Sequence, residues 1–122
     1  MSGTHDQEEL TDLGALVTEW LDWHGAAAQL GVTPAKVRTM IRDHELAAAP
    51  GTGPQVPADF LQDGLVVKGL PGLLTVLHDA GFGDPECIEW IFTDADLPGR
   101  PIDALRENRG AEVKRRAQAM GF

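Results

Sequence analysis

The sequence predicts a mainly α-helical protein that carries one small β-hairpin. Apolar residues recur three and four positions apart through most of the chain, which is the spacing of one helical face. Prolines open four of these segments, where a missing N–H costs a helix no hydrogen bond (Pro34, Pro71, Pro85 and Pro101). The stretch PGTGP at residues 50–54 interrupts the helical pattern and carries the turn residues of a two-stranded hairpin.

Length and composition indicate one globular domain, or two very small ones that share a core. The chain has 122 residues, of which 43% are hydrophobic. No apolar run approaches the roughly 20 residues that span a membrane. The N-terminus lacks a cleavable signal pattern, so we expect a cytoplasmic protein. The single cysteine, Cys87, lies in an apolar helical segment and is expected to be a buried small hydrophobe.

The first 25 residues divide into a polar tail and a predicted helix. Residues 1–12 are acidic and lack hydrophobic periodicity, so we expect a disordered tail. An amphipathic helix is predicted next, because apolar residues recur at helical spacing (Leu13, Leu16, Val17, Trp20 and Leu21). Trp20 and Trp23 are expected in the core, and a further helix is expected to start at Gly25.

Residues 27–46, AAQLGVTPAKVRTMIRDHEL, have the pattern of two helices joined by a tight turn. Gly31 can adopt the left-handed conformation that ends a first helix. Thr33 is a favourable N-cap for a second helix, and Pro34 is a favourable first residue. Three apolar residues form the buried side of that helix (Val37, Met40 and Ile41). This is the pattern of a helix-turn-helix, and an ordinary helical hairpin is the alternative interpretation.

The polar side of the second helix carries donors suited to nucleic acid. A recognition helix needs an apolar back that fixes its angle and donors in front that reach phosphates and base edges. We therefore predict that residues 33–42 read the major groove of double-stranded DNA, with contacts from one set of residues (Thr33, Pro34, Lys36, Arg38, Thr39 and Arg42).

A hairpin directly after such a helix is the wing of a winged helix-turn-helix. Short apolar segments flank the turn residues, which predicts a hairpin from about residue 46 to residue 56 with its tip at residues 51–53. Thr52 and Gln55 are predicted to touch the minor groove or the DNA backbone. Because this hairpin has no Lys or Arg, a structural cover is the alternative role.

The rest of the chain is predicted to be a C-terminal helical bundle. Residues 59–67 predict a short helix and a strand, and three proline-led helices follow, the last interrupted near Gly110. Their inward positions are candidate core residues (Leu73, Leu74, Leu77, Ala80, Ile88, Ile91, Phe92, Ile102, Leu105, Val113, Ala117 and Met120). The predicted organisation has three parts (a tail at 1–12, a winged helix-turn-helix domain at 13–67 and a helical C-terminal region at 68–122 packed on it).

The sequence lacks the patterns of a catalytic or metal site. It contains no carboxylate pair, metal-ligand spacing, nucleophile elbow or phosphate-binding loop. His78 and Asp79 are adjacent on a predicted helix, so they point in different directions. We therefore expect no enzyme and no bound metal or cofactor.

Charge is distributed unevenly along the chain. The formal net charge of −9 opposes DNA binding if taken as one number, because phosphate neutralisation dominates affinity. Residues 1–25 hold six acidic and no basic residues, whereas residues 100–116 hold six basic and three acidic ones. Lys114, Arg115 and Arg116 are candidates for an auxiliary DNA contact. The alternative is that they stay solvated and complement the helix dipole.

Residues 25–61 resemble the small winged helix-turn-helix domains of the excisionase and mercury-resistance-regulator type. The shared pattern is Ala-x-x-Leu-Gly-Val, a capped helix with a central valine, an acidic-Leu exit, a glycine-rich wing and a proline before an aromatic residue (Ala27, Leu30, Gly31, Val32, Val37, Glu45, Leu46, Gly51, Gly53, Pro57 and Phe60). The usual exit glycine is His44 or Glu45 here, and the usual basic wing is absent. The resemblance implies the fold of a DNA-binding domain.

Residues 67–122 resemble the C-terminal half of a small actinobacterial family of winged-helix DNA-binding proteins. Four segments match in order and spacing (KGLPGLLTVLHDAGF, EWIFT, RPIDAL and VKRRAQAMGF). This resemblance implies a DNA-binding regulator of compact α-rich fold, whose C-terminal helices pack on the winged domain.

The same half also resembles the toxin-binding region of a class of antitoxins. The matching features are a Trp-apolar segment, a Leu-x-Gly-x-Pro loop and an apolar helix (Trp90, Leu97, Gly99, Pro101, Ile102 and Leu105). It implies the alternative function, a module that binds a protein partner through Trp90, Pro101 and Leu105. The main prediction is a sequence-selective transcriptional regulator that binds double-stranded DNA, and a homodimer or another protein partner is left open.

Overall fold

A computed structural model describes residues 13–49, 55–93 and 99–120. Within these ranges the chain is mainly helical with small antiparallel strand pairs, which confirms the predicted fold class. The helices are α1 (Trp23–Leu30), α2 (Pro34–Arg42), α3 (Leu70–Asp79), α4 (Asp84–Phe92), α5 (Pro101–Arg106) and α6 (Gly110–Met120). The strands are β1 (Trp20–Leu21), β2 (Val56–Pro57), β3 (Leu61–Gln62) and β4 (Leu65–Val66). None of the described helices is long and apolar enough to cross a bilayer.

The helix predicted to run through Trp20 and Leu21 is wrong in its second half. Residues 13–16 are helical, but Trp20–Leu21 forms β1, which pairs antiparallel with β2. Asp22 then starts the next helix, because its backbone is extended and its Oδ1 accepts a 2.7 Å hydrogen bond from the Gly25 N–H as the N-cap of α1. Helix α1 therefore begins at Trp23, before the predicted start at Gly25.

The hairpin predicted after the second helix is described only at its base. Ala49 and Gln55 form an antiparallel bridge, in which the Ala49 N–H donates to the Gln55 carbonyl at 2.8 Å. The predicted tip at residues 51–53 lies outside the described residues. Val56 then pairs with Leu21 of β1, so this segment closes onto the strand that precedes α1.

At residues 59–67 the predicted short helix is a 3₁₀ turn, and a second hairpin replaces the predicted single strand. A 3₁₀ turn at Ala58–Phe60 leads into β3, which pairs antiparallel with β4. The two connecting residues, Asp63 and Gly64, have φ values of 55° and 78°, as a two-residue primed turn requires. The Asp-Gly dipeptide is itself the sequence signal of such a turn, and the helix-and-strand prediction overlooked it.

The C-terminal helices contribute most of the largest fully buried side chains of the core. The predicted inward positions are buried (Leu73, Leu74, Leu77, Ile88, Ile91, Phe92, Ile102, Leu105, Val113 and Ala117). Ala80 is half-buried, and the side chain of Met120 lies outside the described part. Trp20 and Trp23, both predicted for the core, are partly buried and pack against it.

Helices α5 and α6 are separate, as the predicted interruption near Gly110 requires. Asn108 between them has a φ of 66°, a left-handed conformation that ends the first helix. Gly110 lies close to Gly69, whose Cβ, if it had one, would be 3.7 Å from the Gly110 Cα. A Cβ on Gly110 would lie 3.3 Å from Leu105 Cδ2, so a side chain at this position would crowd the end of α5.

Side chains from the C-terminal half also bond to the segment after β2. Arg106 Nη1 donates to the carbonyl oxygens of Asp59 at 2.8 Å and Leu61 at 3.0 Å. The rings of Phe60 and Phe92 are in contact, with centroids 5.5 Å apart. These contacts join α4 and α5 to the 3₁₀ turn and β3.

Candidate nucleic-acid interface

The turn between α1 and α2 has the predicted geometry. Gly31 is left-handed, with φ 69° and ψ 33°, and its N–H donates to the Ala27 carbonyl. Thr33 Oγ1 accepts a 3.1 Å hydrogen bond from the Lys36 N–H, and Pro34 is the first residue of α2. The direction of α2 relative to α1 is therefore set by one left-handed glycine and one side-chain cap.

The inner side of α2 is anchored in the core. Val37 is fully buried and Met40 is 9% exposed, while Ile41 is half-buried. At the end of the helix the Glu45 N–H donates to the Met40 carbonyl at 2.8 Å, and His44 is left-handed with a φ of 62°. The helix is thus held from behind and at both ends.

The outer face of α2 carries the predicted contact residues. At 100° per residue, Thr39 and Arg42 lie opposite the buried stripe, and Lys36 and Arg38 lie at its two flanks. Lys36, Arg38 and Arg42 are exposed, whereas Pro34 and Thr39 are half-buried. This side of the helix therefore presents cationic donors to solvent.

Local contacts hold the polar groups of this face in place. The Arg38 guanidinium carbon lies 5.5 Å from the centre of the Trp23 ring, a cation–π distance. Arg42 Nε lies 3.3 Å from Asp43 Oδ1, a pair exposed enough to be weak. The Thr39 hydroxyl donates to the Ala35 carbonyl at 3.2 Å, so its oxygen is left to act as an acceptor.

An open groove of about 430 Å³ runs beside the outer face. Its lining combines two arginine side chains with mainly apolar surface (Trp23, Ala35, Arg38, Thr39, Ile41 and Arg42). Such a lining suits phosphate oxygens together with apolar groups such as the thymine methyl.

Of the two predicted wing contacts, Gln55 alone lies within the described residues. Gln55 is exposed at the base of the hairpin, on the residue that bridges to Ala49. Thr52 lies outside the described residues.

At least three of the six cations in residues 100–116 have partners within the chain. Arg100 pairs with Asp103 at 3.1 Å, Arg109 pairs with Glu107 at 2.7 Å, and Arg106 binds backbone carbonyls. Of the predicted auxiliary contacts, Lys114 and Arg115 are exposed and Arg116 is half-buried. Arg100, Arg106 and Arg109 are therefore engaged within the fold, while Lys114 and Arg115 carry exposed positive charge on α6.

The predicted partner-binding residues lie in or against the core. Pro101 and Leu105 are buried, and Trp90 is partly buried. A partner would reach the first two only after α5 had moved.

The structure also brings together three residues that the sequence did not connect. His44, His78 and Asp84 come from the segment after α2, from the end of α3 and from the start of α4. No local spacing signals this group, because 34 residues separate the two histidines along the chain.

The protein is mainly helical, and the second of two helices joined by a tight turn, α2, exposes cationic side chains to solvent. Residues 67–121 match the family model described as the Rv2175c C-terminal domain of unknown function. The chain is 42% identical over 113 residues to the DNA-binding protein Rv2175c of Mycobacterium tuberculosis (strain ATCC 25618 / H37Rv), covering 79% of this chain and 76% of that protein. It therefore belongs to the Rv2175c family.

A solved structure agrees with this assignment. The NMR structure of Rv2175c superposes with a TM-score of 0.74 at 39% identity, covering 85% of this chain and 82% of that one. The predicted resemblance of residues 67–122 to a small family of DNA-binding proteins is thereby confirmed at the level of the family.

Proposed function

We propose that this protein binds double-stranded DNA sequence-selectively through α2 and regulates transcription. The observation that carries the proposal is the outer face of α2, where exposed Arg38 and Arg42 project from a helix that is anchored by buried Val37. The relative from Mycobacterium tuberculosis is named a DNA-binding protein, which supports DNA as the ligand.

The contacts divide into those that position the protein and those that select sequence. Lys36, Arg38 and Arg42 supply charge for phosphates and donors for guanine edges. Thr39 supplies an acceptor for base amino groups, because its own hydroxyl proton is engaged by the Ala35 carbonyl. Thr33 and Pro34, at the positive end of the helix dipole, approach the phosphate backbone.

Secondary contacts extend this interface. Gln55 at the base of the hairpin and Thr52 in its loop are proposed to touch the backbone or minor groove. Lys114, Arg115 and Arg116 are proposed as an auxiliary contact that adds phosphate attraction without sequence information.

The net charge bears on selectivity. A chain of net charge −9 is repelled by DNA except where its cations concentrate, so binding to arbitrary sequence should be weak. Contacts to particular bases then decide whether a site is occupied, which is the behaviour of a regulator.

The test is a fluorescence anisotropy titration of the full chain against two duplexes, one of random sequence and one from upstream of its own gene, at two salt concentrations. We expect saturable binding that is tighter for the upstream duplex and weakens with salt. Replacing Arg38 or Arg42 by alanine should lower affinity and reduce the salt slope by about one unit per lost phosphate contact.

A matched control removes the same charge elsewhere. Arg109→Ala deletes a guanidinium that is paired with Glu107 and Glu112, so it should leave the salt slope unchanged. Equal effects of Arg109→Ala and Arg38→Ala would indicate general electrostatics and not a contact by α2. No saturable binding at low salt would contradict DNA binding altogether.

A further inference from the structure

His44, His78 and Asp84 form a compact group outside the candidate interface. One ligand atom from each residue lies within 4.8 Å of the others. The imidazole rings of His44 and His78 are stacked, with centroids 3.8 Å apart and planes 28° from parallel. Asp84 Oδ1 lies 3.0 Å from His78 Nε2, and the His78 and Asp84 side chains are only 16% and 21% exposed.

The polar atoms of this group are incompletely paired. His44 Nδ1 and His78 Nε2 are buried and have no hydrogen-bond partner among the described residues. The short contact from His78 to Asp84 is an ion-pair distance, but it is not aligned as a hydrogen bond. Buried polar atoms are normally satisfied, because leaving them unpaired costs free energy. A cation that accepts lone pairs from both rings and the carboxylate would satisfy all three.

The backbone holds two of the three residues in place. Asp84 Oδ2 accepts a 3.1 Å hydrogen bond from the Ala48 N–H, which orients the carboxylate and leaves Oδ1 beside His78. His44 is fixed in a left-handed conformation, and its N–H donates to the Ile41 carbonyl at 3.2 Å. The bond from Ala48 to the Asp84 carboxylate is of the kind that orients ligands in metal sites, whereas the His44 bond fixes only the backbone.

We propose that His44, His78 and Asp84 bind a divalent transition-metal ion of the Zn²⁺ class. Two imidazoles and one carboxylate suit Zn²⁺, Ni²⁺, Co²⁺ or Cu²⁺, whereas Mg²⁺ and Ca²⁺ prefer oxygen ligands. Tetrahedral Zn²⁺ with bonds of roughly 2.0–2.2 Å places its ligand atoms about 3.3 Å apart. The ligand atoms are now up to 4.8 Å apart and the rings are stacked, so binding an ion requires the imidazoles to turn until both lone pairs point at one centre.

The ion would join three parts of the fold. It would fix the segment that leaves α2 to the end of α3 and the start of α4, at positions far apart in sequence. Three protein ligands leave a fourth tetrahedral position open to water or another small ligand.

The test uses the full chain at neutral pH, with isothermal titration and thermal unfolding in ZnCl₂ or MgCl₂. We expect one equivalent of Zn²⁺ to bind and to raise Tm, because a ligand that binds only the folded state stabilises it, and Mg²⁺ to do neither. His78→Gln and Asp84→Asn should weaken Zn²⁺ binding by about tenfold or more. Asp84→Asn keeps an amide oxygen for the Ala48 N–H, and His44→Asn keeps a residue that tolerates the left-handed backbone.

Two controls separate this group from other ligands in the chain. His24→Gln removes an exposed histidine of α1, and Cys87→Ala removes the buried free thiol. Both should retain wild-type Zn²⁺ affinity. If either control loses binding, or if the three ligand variants retain it, the assignment is wrong.

If a ligand variant fails to fold, metal binding is tested on the wild-type protein alone. One equivalent of Co²⁺ should then give visible d–d absorption that Zn²⁺ displaces. If the wild type takes up no stoichiometric ion, the group is a stacked imidazole pair beside a carboxylate, and the proposal is refuted.

Discussion

Arg106 is predicted to be a main stabilising contact between the two halves of the chain. Its Nη1 donates to the carbonyls of Asp59 at 2.8 Å and Leu61 at 3.0 Å. Replacement by methionine keeps an unbranched apolar stem but removes the guanidinium donor. Both carbonyls then lose a charged partner, and each such hydrogen bond contributes about 1.5–3 kcal/mol where it is well shielded.

Because Arg106 is half-buried, water can replace part of what is lost. We therefore expect Arg106→Met to lower the free energy of unfolding by about 2–3 kcal/mol, below the sum of two shielded bonds. For a chain of this size 1 kcal/mol corresponds to a Tm change of about 4 °C, so Tm should fall by about 8–12 °C. Urea and thermal denaturation, followed by circular dichroism, measure both quantities.

Arg109→Met is the matched control, since it removes the same charge from an exposed pair with Glu107. Its loss of stability should be clearly smaller, which separates the two hydrogen bonds from the general effect of lowering the positive charge. A change within about 0.5 kcal/mol for Arg106→Met, as at ordinary surface sites, would refute the reasoning.

Three further predictions concern charge and burial. Deleting residues 1–12 removes four acidic residues and should tighten DNA binding at low salt. In anisotropy titrations the gain in affinity should be smaller at high salt, because salt screens the charges. An equal gain at both salt concentrations would contradict an electrostatic effect of the tail. Burial, followed by the charges of neighbouring carboxylates, raises the pKa of the Cys87 thiol to about 12, so Ellman's reagent at mildly alkaline pH should react only as the protein unfolds; rapid stoichiometric reaction of the folded protein would disprove this. Hydrogen bonds from Arg100 lower the pKa of Asp103 below its ordinary 3.8. The resulting stabilisation is present above the pKa of the unfolded chain and is lost as pH falls. In urea denaturation, the stability difference between wild type and Asp103→Asn should therefore be largest near neutral pH and smaller in acid. A stability difference that increases in acid would refute this prediction.

Local signals in the sequence were sufficient for most helices. Thr33 caps the start of α2 and Pro34 is its first residue. Both signals are local, because the cap bond joins Thr33 to Lys36 only three residues away. The buried positions of α3, α4 and α6 follow from helical spacing alone.

Features that depend on distant partners could not be predicted in the same way. Trp20 and Leu21 fit a helical pattern, yet they form a strand because Val56 and Pro57 pair with them. The C-terminal cations looked like a basic patch, because a count of charges does not show that Arg106 binds carbonyls 45 and 47 residues away.

The same distinction between local and distant signals applies to the candidate sites. The outer face of α2 could be predicted, since an apolar stripe also determines what lies opposite it. The group of His44, His78 and Asp84 could not, because only tertiary packing brings those residues together.

The contact between Phe60 and Phe92 limits where two members of this family can be joined to make a chimaeric protein. The matched C-terminal region begins at residue 67, whose N–H donates to the Phe60 carbonyl at 2.9 Å. A chimaera joined at that boundary would combine one parent's Phe92 with the other parent's Phe60 and the β3–β4 hairpin. We expect such grafts to fold only when residues 58–66 travel with the C-terminal region, so the productive crossover point lies upstream of the family boundary.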